Sequence, residues 1–237
     1  MGYPVKRLCT ICARGESKGF PGKNIRLIGG KPLIIHSLSQ AQSSGLFDAV
    51  AVSSDSKEIL NISEKAGADY CIFRSQELAS DRAPKLPVIQ NCVNEVETIS
   101  GKNFDVIVDL DVTSPLRLAE DIEGAVKLLE SENVSNVITG CPARRSPYFN
   151  LVEQDENGCV RLSKTPEKTI VRRQDTPECF DMNASIYVWK RKELIGSKSI
   201  FNADTLLFVM PEERSIDADN EWEFEYVEFL FNKRTSL

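Results

Sequence analysis

At 237 residues, with 41% hydrophobic and 27% charged residues, the chain has the size and composition of a single globular domain around one core, too short for two full domains. A formal net charge of −6 argues against general nucleic-acid binding, although a local cleft can still gather the positive field that a phosphate ligand needs. No apolar run approaches the roughly 20 residues needed to cross a bilayer, and no signal peptide is visible. Seven scattered cysteines do not make a secreted disulfide framework, so a cytoplasmic protein with no membrane partner is expected.

Short β-rich runs alternate with longer helical ones, the pattern of a mostly parallel sheet flanked by helices. Residues 7–13 read as the first strand, and residues 14–30 as a loop rich in glycine and lysine. Cys9 and Cys12 match C-x-x-C, but period-two alternation sends their thiols to opposite faces, so they read as buried strand cysteines rather than a metal or redox pair. Pro32 stands where a helix starts, followed by Leu33, Ile34, Leu38 and Ala41. A strand at 49–53 ends in Ser54, Asp55 and Ser56, a triplet able to cap a helix over 57–66. Strands at 69–73 and 104–110 bracket a helix over 86–99, and a helix over 119–130 precedes a strand at 136–141.

From 143 to 180 the chain turns richer in Pro, Arg, Gln and polar residues, with β-like pieces at 149–153 and 159–162. This segment is too small for its own core and reads as a β-arm inserted in a single domain over 1–237, of the kind that makes an oligomer contact. The main fold resumes at 185–189 and 206–210. Asp219 then opens a last helix whose Trp222, Tyr226, Phe229 and Leu230 recur at helical spacing and read as core packing.

Three segments carry residue types suited to chemistry. Residues 14–24 follow the first strand, at the carboxyl end where open α/β sheets bind ligands. Gly15, Gly19 and Gly22 let backbone N–H groups approach anionic oxygens while Arg14, Lys18 and Lys23 supply positive charge, so the loop reads as a phosphate cradle, neither a Walker A loop nor a dinucleotide fingerprint. Asp217 and Asp219 fall on one side of an extended segment, either as ligands of one hard divalent cation or as a solvated turn and a helix cap. Asp109 and Asp111 end a buried strand, where carboxylates need a cation or hydrogen-bond donors; Asp111 lies nearer the exposed end, and Asp109 equally suits a structural arginine. His36 is the only histidine and falls in a helix as a packing or surface residue, which excludes a histidine triad or zinc cluster. The pairs Arg144-Arg145 and Arg172-Arg173 either bind a carboxylate or phosphate or simply solvate the arm.

Residues 13–24, Ala13-Arg14-Gly15-Glu16-Ser17-Lys18-Gly19-Phe20-Pro21-Gly22-Lys23-Asn24, resemble the A-R-x-x-S-K-G-x-P-x-K-N loop of the CMP-sialic acid synthetase family. Further matches follow in family order: Gly30-Lys31-Pro32-Leu33, Val52-Ser53-Ser54-Asp55, Arg74 with residues 77–81, Thr113-Ser114-Pro115-Leu116-Arg117, residues 183–187 and residues 216–219. Cys9 to Arg14, Asp109-Leu110-Asp111, residues 142–150 and residues 181–185 are similar to the bacterial CMP-N,N'-diacetyllegionaminic acid synthetases within that family. Two departures stand out. Asp111 and Val112 precede Thr113 where sialic acid enzymes commonly lead with Q-P, and Asp181 stands where they place an arginine that meets the sugar carboxylate.

The resemblance implies a three-layer, Rossmann-like nucleotide-diphospho-sugar transferase fold whose arm, at about 143–180, makes a homodimer. It implies CTP and an acidic nonulosonic sugar as substrates and Mg²⁺ as the metal, with CMP-sialic acid, CMP-pseudaminic acid and CMP-Kdo synthetases as the nearest rival readings. A polyol-phosphate cytidylyltransferase is more distant, and a non-catalytic nucleotide-sugar-binding module is the reading from another class. Arg14, Gly15, Ser17, Lys18, Lys23 and Asn24 would hold CTP, with Lys23 and Arg14 nearest the chemistry beside Asp217. Arg74, Ser80 and Lys85 match the cytosine-reading segment, Lys85 standing where relatives often have serine. Asp217 and Asp219 would hold the metal, and Asp111, Asp181 and Asn183 would line the sugar side, with Arg144, Arg145 and Arg173 as partners for its carboxylate.

Overall fold

Three successive parallel strands are apolar on both faces, and this places them in the middle of the molecule. They are β1 (Arg7–Cys12), β4 (Ala49–Ser54) and β6 (Val106–Leu110), the last two buried along their full length. A computed structural model describes residues 4–17, 19–80, 83–165 and 172–235. Its remaining elements in the first half are β2 (Leu27–Ile28), β3 (Lys31–Pro32), α1 (Leu33–Ser44), α2 (Lys57–Lys65), β5 (Tyr70–Phe73), α3 (Gln76–Ala79) and α4 (Lys85–Ser100). The second half adds α5 (Ala119–Glu132), β7 (Asn136–Pro142), β8 (Val152–Gln154), β9 (Val160–Leu162), β10 (Phe180–Lys190), α6 (Arg191–Gly196), β11 (Leu206–Val209) and α7 (Glu221–Thr235).

Seven strands form one sheet in the order β11-β7-β10-β6-β1-β4-β5. β10 runs antiparallel to both β6 and β7, and every other pairing is parallel. The chain leaves β1 toward β4 on one side and reaches β6 on the other, so the carboxyl end of β1 is the topological switch point where such sheets open a crevice. One core packs residues of α1, α5 and α7 against the sheet, among them Leu33, Ile122 and Phe224; the other packs α4 and α6 through Ile89, Val93 and Leu194. This is the expected three-layer α/β architecture. Cys9 belongs to the first core and Cys12 lies against the second, as alternation required, and all seven cysteines are free thiols.

The 143–180 segment carries a separate two-stranded sheet of β8 and β9, later and shorter than the pieces read from sequence. β10 starts at Phe180, well before the expected 185, and pairs there with Pro142, so the base of the segment is stitched into the main sheet. Its register slips between Met182 and Tyr187, and Ala184 sits at φ 49°, the left-handed region that costs a residue with a Cβ about 1–2 kcal/mol.

One expectation is corrected. Trp222, Tyr226 and Phe229 are 69%, 42% and 58% exposed, and Phe224 and Val227 face the core in their place, with Leu230 and Phe231 packed at its margin. α7 is apolar on more than one flank, so helical spacing alone had two stripes to choose from. The start of α7 also moves. Asn220, rather than Asp219, accepts the Glu223 N–H at 3.0 Å and caps the helix.

Candidate active site

The loop leaving β1 is held by its own hydrophobic anchor. Phe20 is buried and packs edge-on against Phe224 of α7 at 5.4 Å, with the Arg26 guanidinium over both rings. Asn24 is buried and donates from Nδ2 to the Arg14 carbonyl at 2.8 Å, closing the loop on itself. Gly22 takes φ 67° and turns the chain into the short helical turn that presents Lys23, a conformation glycine adopts without Cβ strain. Gly15 serves by absence of bulk, since a Cβ there would lie 2.9 Å from that of Ser56. Its N–H, expected to face phosphate, donates instead to Asp55 Oδ1 at 2.8 Å, so Asp55 pins the loop to the end of β4.

A cavity of about 290 Å³ opens between this loop, the end of β6 and the start of α4. Arg14, Lys23, Asn24, Arg74, Lys85 and Asp111 contribute its polar wall. Arg74 is buried on the cavity wall, and its Nε has no hydrogen-bond partner among the described residues. A wider cavity of about 980 Å³ lies on the other side of the loop, with Ser17 and Gly15 on its wall and Ser80 shared between the two.

The far wall of the first cavity is a closed electrostatic unit. Lys85, the first residue of α4, sets its Nζ 2.7 Å from Asp111 Oδ2 and 3.2 Å from Asp109 Oδ2, over the Tyr187 ring at 4.5 Å. Asp109 also accepts from the Thr10 hydroxyl at 2.8 Å. Burial works against the Asp111 carboxylate, but the Lys85 ammonium and the Thr113 N–H and hydroxyl outweigh it and hold its pKa well below the usual range. For Asp109 burial wins and the pKa rises; for Lys85 the two carboxylates outweigh burial and the pKa rises. Asp109 therefore pairs with a lysine, not with an arginine.

The segment carrying Asp217 and Asp219 reaches the first cavity through Lys23, which lines it and pairs with Asp219. Ala218 between them is fully buried and its N–H donates to Thr113 O at 2.8 Å, so in this extended segment Asp217 and Asp219 take the side opposite Ala218. Asp217 Oδ1 accepts from the Ser114 hydroxyl. Its carboxyl is pushed up to about 7, first by burial and then by Asp111 and Asp219, against the Ser114 bond. Asp219 meets Lys23 Nζ at 2.7 Å, joining residues 196 positions apart.

Residues 8–228 match the family model described as Cytidylyltransferase. The chain is 45% identical over 225 residues to CMP-N,N'-diacetyllegionaminic acid synthase of Campylobacter jejuni, covering 95% of this chain and 94% of that protein. It is 42% identical over 227 residues to post-translational flagellin modification protein B of Campylobacter coli, covering 96% and 95%. The chain belongs to the cytidylyltransferase family. Its fold superposes on CMP:2-keto-3-deoxy-manno-octonic acid synthetase complexed with CTP with a TM-score of 0.68, at 17% identity, over 97% of this chain and 100% of that one.

Within this cytidylyltransferase the structure gathers Arg14, Lys23, Asn24, Arg74, Ser80, Lys85 and Asp111 at one cavity and sets Asp217 and Asp219 beside it. Lys18 and the side chain of Arg173 lie outside the described residues. The sugar-side candidates are dispersed. Asp181 accepts from the Arg144 N–H at 3.2 Å and both are exposed, while Arg145 lines a different cavity of about 460 Å³ at the base of the β8–β9 segment. Asn183 is buried, its Oδ1 accepting from Thr139 Oγ1 at 2.7 Å and its Nδ2 donating to Ser215 Oγ at 2.9 Å. His36 is buried, bonded to the Ile28 carbonyl at 2.9 Å and edge-on to Phe231, the packing role expected. Asp55, Ser114, Arg117 and Tyr187 were not singled out from sequence. All four stood inside matched motifs, and Asp55 in a capping triplet, but nothing local distinguished a residue that aims another from one that only packs.

Asp217 and Asp219 fit a hard divalent cation by donor type. Both offer carboxylate oxygens, and Asp217 is half-buried, with burial, Asp111 and Asp219 raising its pKa against the pull of Ser114 and Lys85. Two carboxylates match the one or two that Mg²⁺ takes before phosphate oxygens and water complete its shell.

Proposed function

We propose that this chain transfers a cytidylyl group from CTP to the anomeric hydroxyl of a nonulosonic acid, N,N'-diacetyllegionaminic acid, yielding the CMP-sugar and pyrophosphate. Identity of 45% along nearly the whole length of the Campylobacter jejuni synthase carries the substrate class. The observation that carries the chemistry is that Lys23, paired with Asp219, lines one cavity with Arg14 and Arg74.

The sugar oxygen attacks the α-phosphorus, the bond to the β-phosphate oxygen breaks, and the hydroxyl proton leaves as pyrophosphate departs. Such transfer needs positioning and charge neutralisation more than a covalent intermediate. Arg14 and Lys23 hold the triphosphate, and Lys18 and Ser17 extend the cradle along the loop. Lys23 exchanges Asp219 for phosphate oxygens, which costs little because Asp219 is 60% exposed in its side chain. Arg74 and Ser80, which line the same cavity, meet the base. Asp217 and Asp219 would hold Mg²⁺, which neutralises phosphate charge and lowers the pKa of the attacking hydroxyl when bound. Asp111 presents a carboxylate to the sugar, and an arginine of the 143–180 segment meets the sugar carboxylate. That segment, with Leu151, Val152, Val160 and Phe180 exposed, supports dimerisation. Seven free thiols suit the reducing cytoplasm, and no helix among the described residues is long and apolar enough to cross a membrane.

Pyrophosphate release with CTP, Mg²⁺ and a panel of legionaminic, pseudaminic and sialic acids and Kdo tests the reading. Turnover is expected with the legionaminic acid above the others. Binding of CTP with no turnover on any sugar would overturn the enzymatic reading, and preference for UTP or ATP would overturn the cytidine part.

A further inference from the structure

Arg117 is fully buried, and no carboxylate among the described residues accepts from it. Its Nε donates to Gln40 Oε1 of α1 at 2.9 Å, and its Nη1 to the Ser185 carbonyl of β10 at 2.6 Å. Its Nη2 donates to the Ser37 hydroxyl and to the Asp111 carbonyl, the latter at 2.6 Å. Burial lowers its pKa to about 10, against the pull of nearby carboxylates, so the group stays charged at neutral pH. Desolvating a cation onto neutral acceptors is an expensive way to gain stability, and apolar packing of similar volume does that better. What a guanidinium supplies is a rigid fork of five donors that holds several segments in one relative register.

The segments it joins border the site on different sides. Asp111 N donates to the same Ser185 carbonyl at 3.1 Å, so the end of β6 and the slipped part of β10 are tied twice at one oxygen. The loop between Asp111 and Arg117 carries Ser114, which bonds Asp217, and Thr113, whose carbonyl holds Ala218. Ser185 follows Ala184, the residue in left-handed backbone, and Asn183. Gln40 Nε2 braces the loop further through Pro115 O at 2.7 Å and Arg117 O at 2.9 Å.

We infer that Arg117 is a positioning residue that registers the wall carrying Asp111 and Asp217 against β10, and so aligns the two substrates with each other rather than binding either. The inference rests on the cytidylyltransferase reading above. Arg117→Lys keeps the charge and loses the fork; Gln40→Leu removes one acceptor and one brace. Each is compared with the wild type for CTP affinity by calorimetry, for KM and kcat in pyrophosphate release, and for melting temperature, at a temperature where all are folded. Arg117→Lys is expected to bind CTP within about threefold of the wild type and to lose about 100-fold in kcat, the scale of a 1 Å misalignment. Gln40→Leu is expected to show the same split at about tenfold. A kcat within twofold of the wild type, or a loss of CTP affinity matching the loss of kcat, would overturn the inference. If Arg117→Lys does not fold, the Gln40→Leu split decides by the same criteria. Absence of cytidylyl transfer by the wild type would count against the proposed function and is read separately.

Discussion

Lys23 and Lys85 line the same cavity and answer opposite needs. Lys85 stands on the wall at the end of β6, locked between Asp109 and Asp111 over Tyr187, with its partners largely or wholly buried. Lys23 stands on the loop after β1 and holds one carboxylate, that of the exposed Asp219. The wall is satisfied within the protein, whereas the loop is satisfied by contacts that a polyanion replaces at little cost. A nucleotide site gains from this division: rigid charges define where the substrate sits, and replaceable ones neutralise it on arrival.

The sharpest way to break the comparison is to remove each lysine in turn. Lys23→Met is expected to lower turnover about 1,000-fold through lost charge stabilisation, while changing folding stability by less than about 1 kcal/mol because its one partner, Asp219, is 60% exposed and stays hydrated without it. Lys85→Met is expected to cost about 3–5 kcal/mol in folding, since it leaves two carboxylates on a buried wall without their cation. Urea melts and initial rates on both variants give the two signatures, and similar profiles for the pair would erase the distinction between wall and loop.

Asp217 lies between the two regions and tests the border. Its folded pKa of about 7 stands above the ordinary carboxylate value, so the folded state holds the proton more tightly than the unfolded chain. Stability is therefore lost as pH rises from about 4 to about 7, by up to about 4 kcal/mol. Asp217→Asn is expected to raise the stability of the metal-free protein at pH 8 and to change it little at pH 4, while turnover with Mg²⁺ falls about 100-fold. A loss of stability at pH 8 would assign Asp217 to the structural wall. The smallest effect is expected at Ala184. Glycine there relieves left-handed strain in exchange for chain entropy, for a net gain of about 0.5–1 kcal/mol in a urea melt.

The loop was legible in the sequence because its charges and glycines are contiguous and follow an apolar strand. The wall was not, because Lys85, Asp109, Asp111 and Arg117 become one unit only when α4, β6 and the turn before α5 are packed together. Lys85 read as part of the segment matching the cytosine-reading one, where relatives often have serine, and nothing near it in sequence announces two carboxylates. Asp217 and Asp219 were legible as a pair but equally as a turn and a cap, and the appearance of Asn220 at the cap position releases Asp219 to Lys23.

Local chemistry by itself determined the alternation of strands and helices, the burial of β1 and β6 and the shared side of Asp217 and Asp219, and it marked residues 14–24 as a candidate anion loop. Each follows from periodicity or from neighbours in the chain, and the matched motifs added the family. Tertiary structure alone decided which stripe of α7 enters the core, that the Gly15 N–H belongs to Asp55, and that Lys23 reaches across 196 positions to Asp219. The reason is physical. A helix apolar on several flanks has no preferred face until the sheet offers one, and a charged side chain has no assigned partner until folding sets the distances.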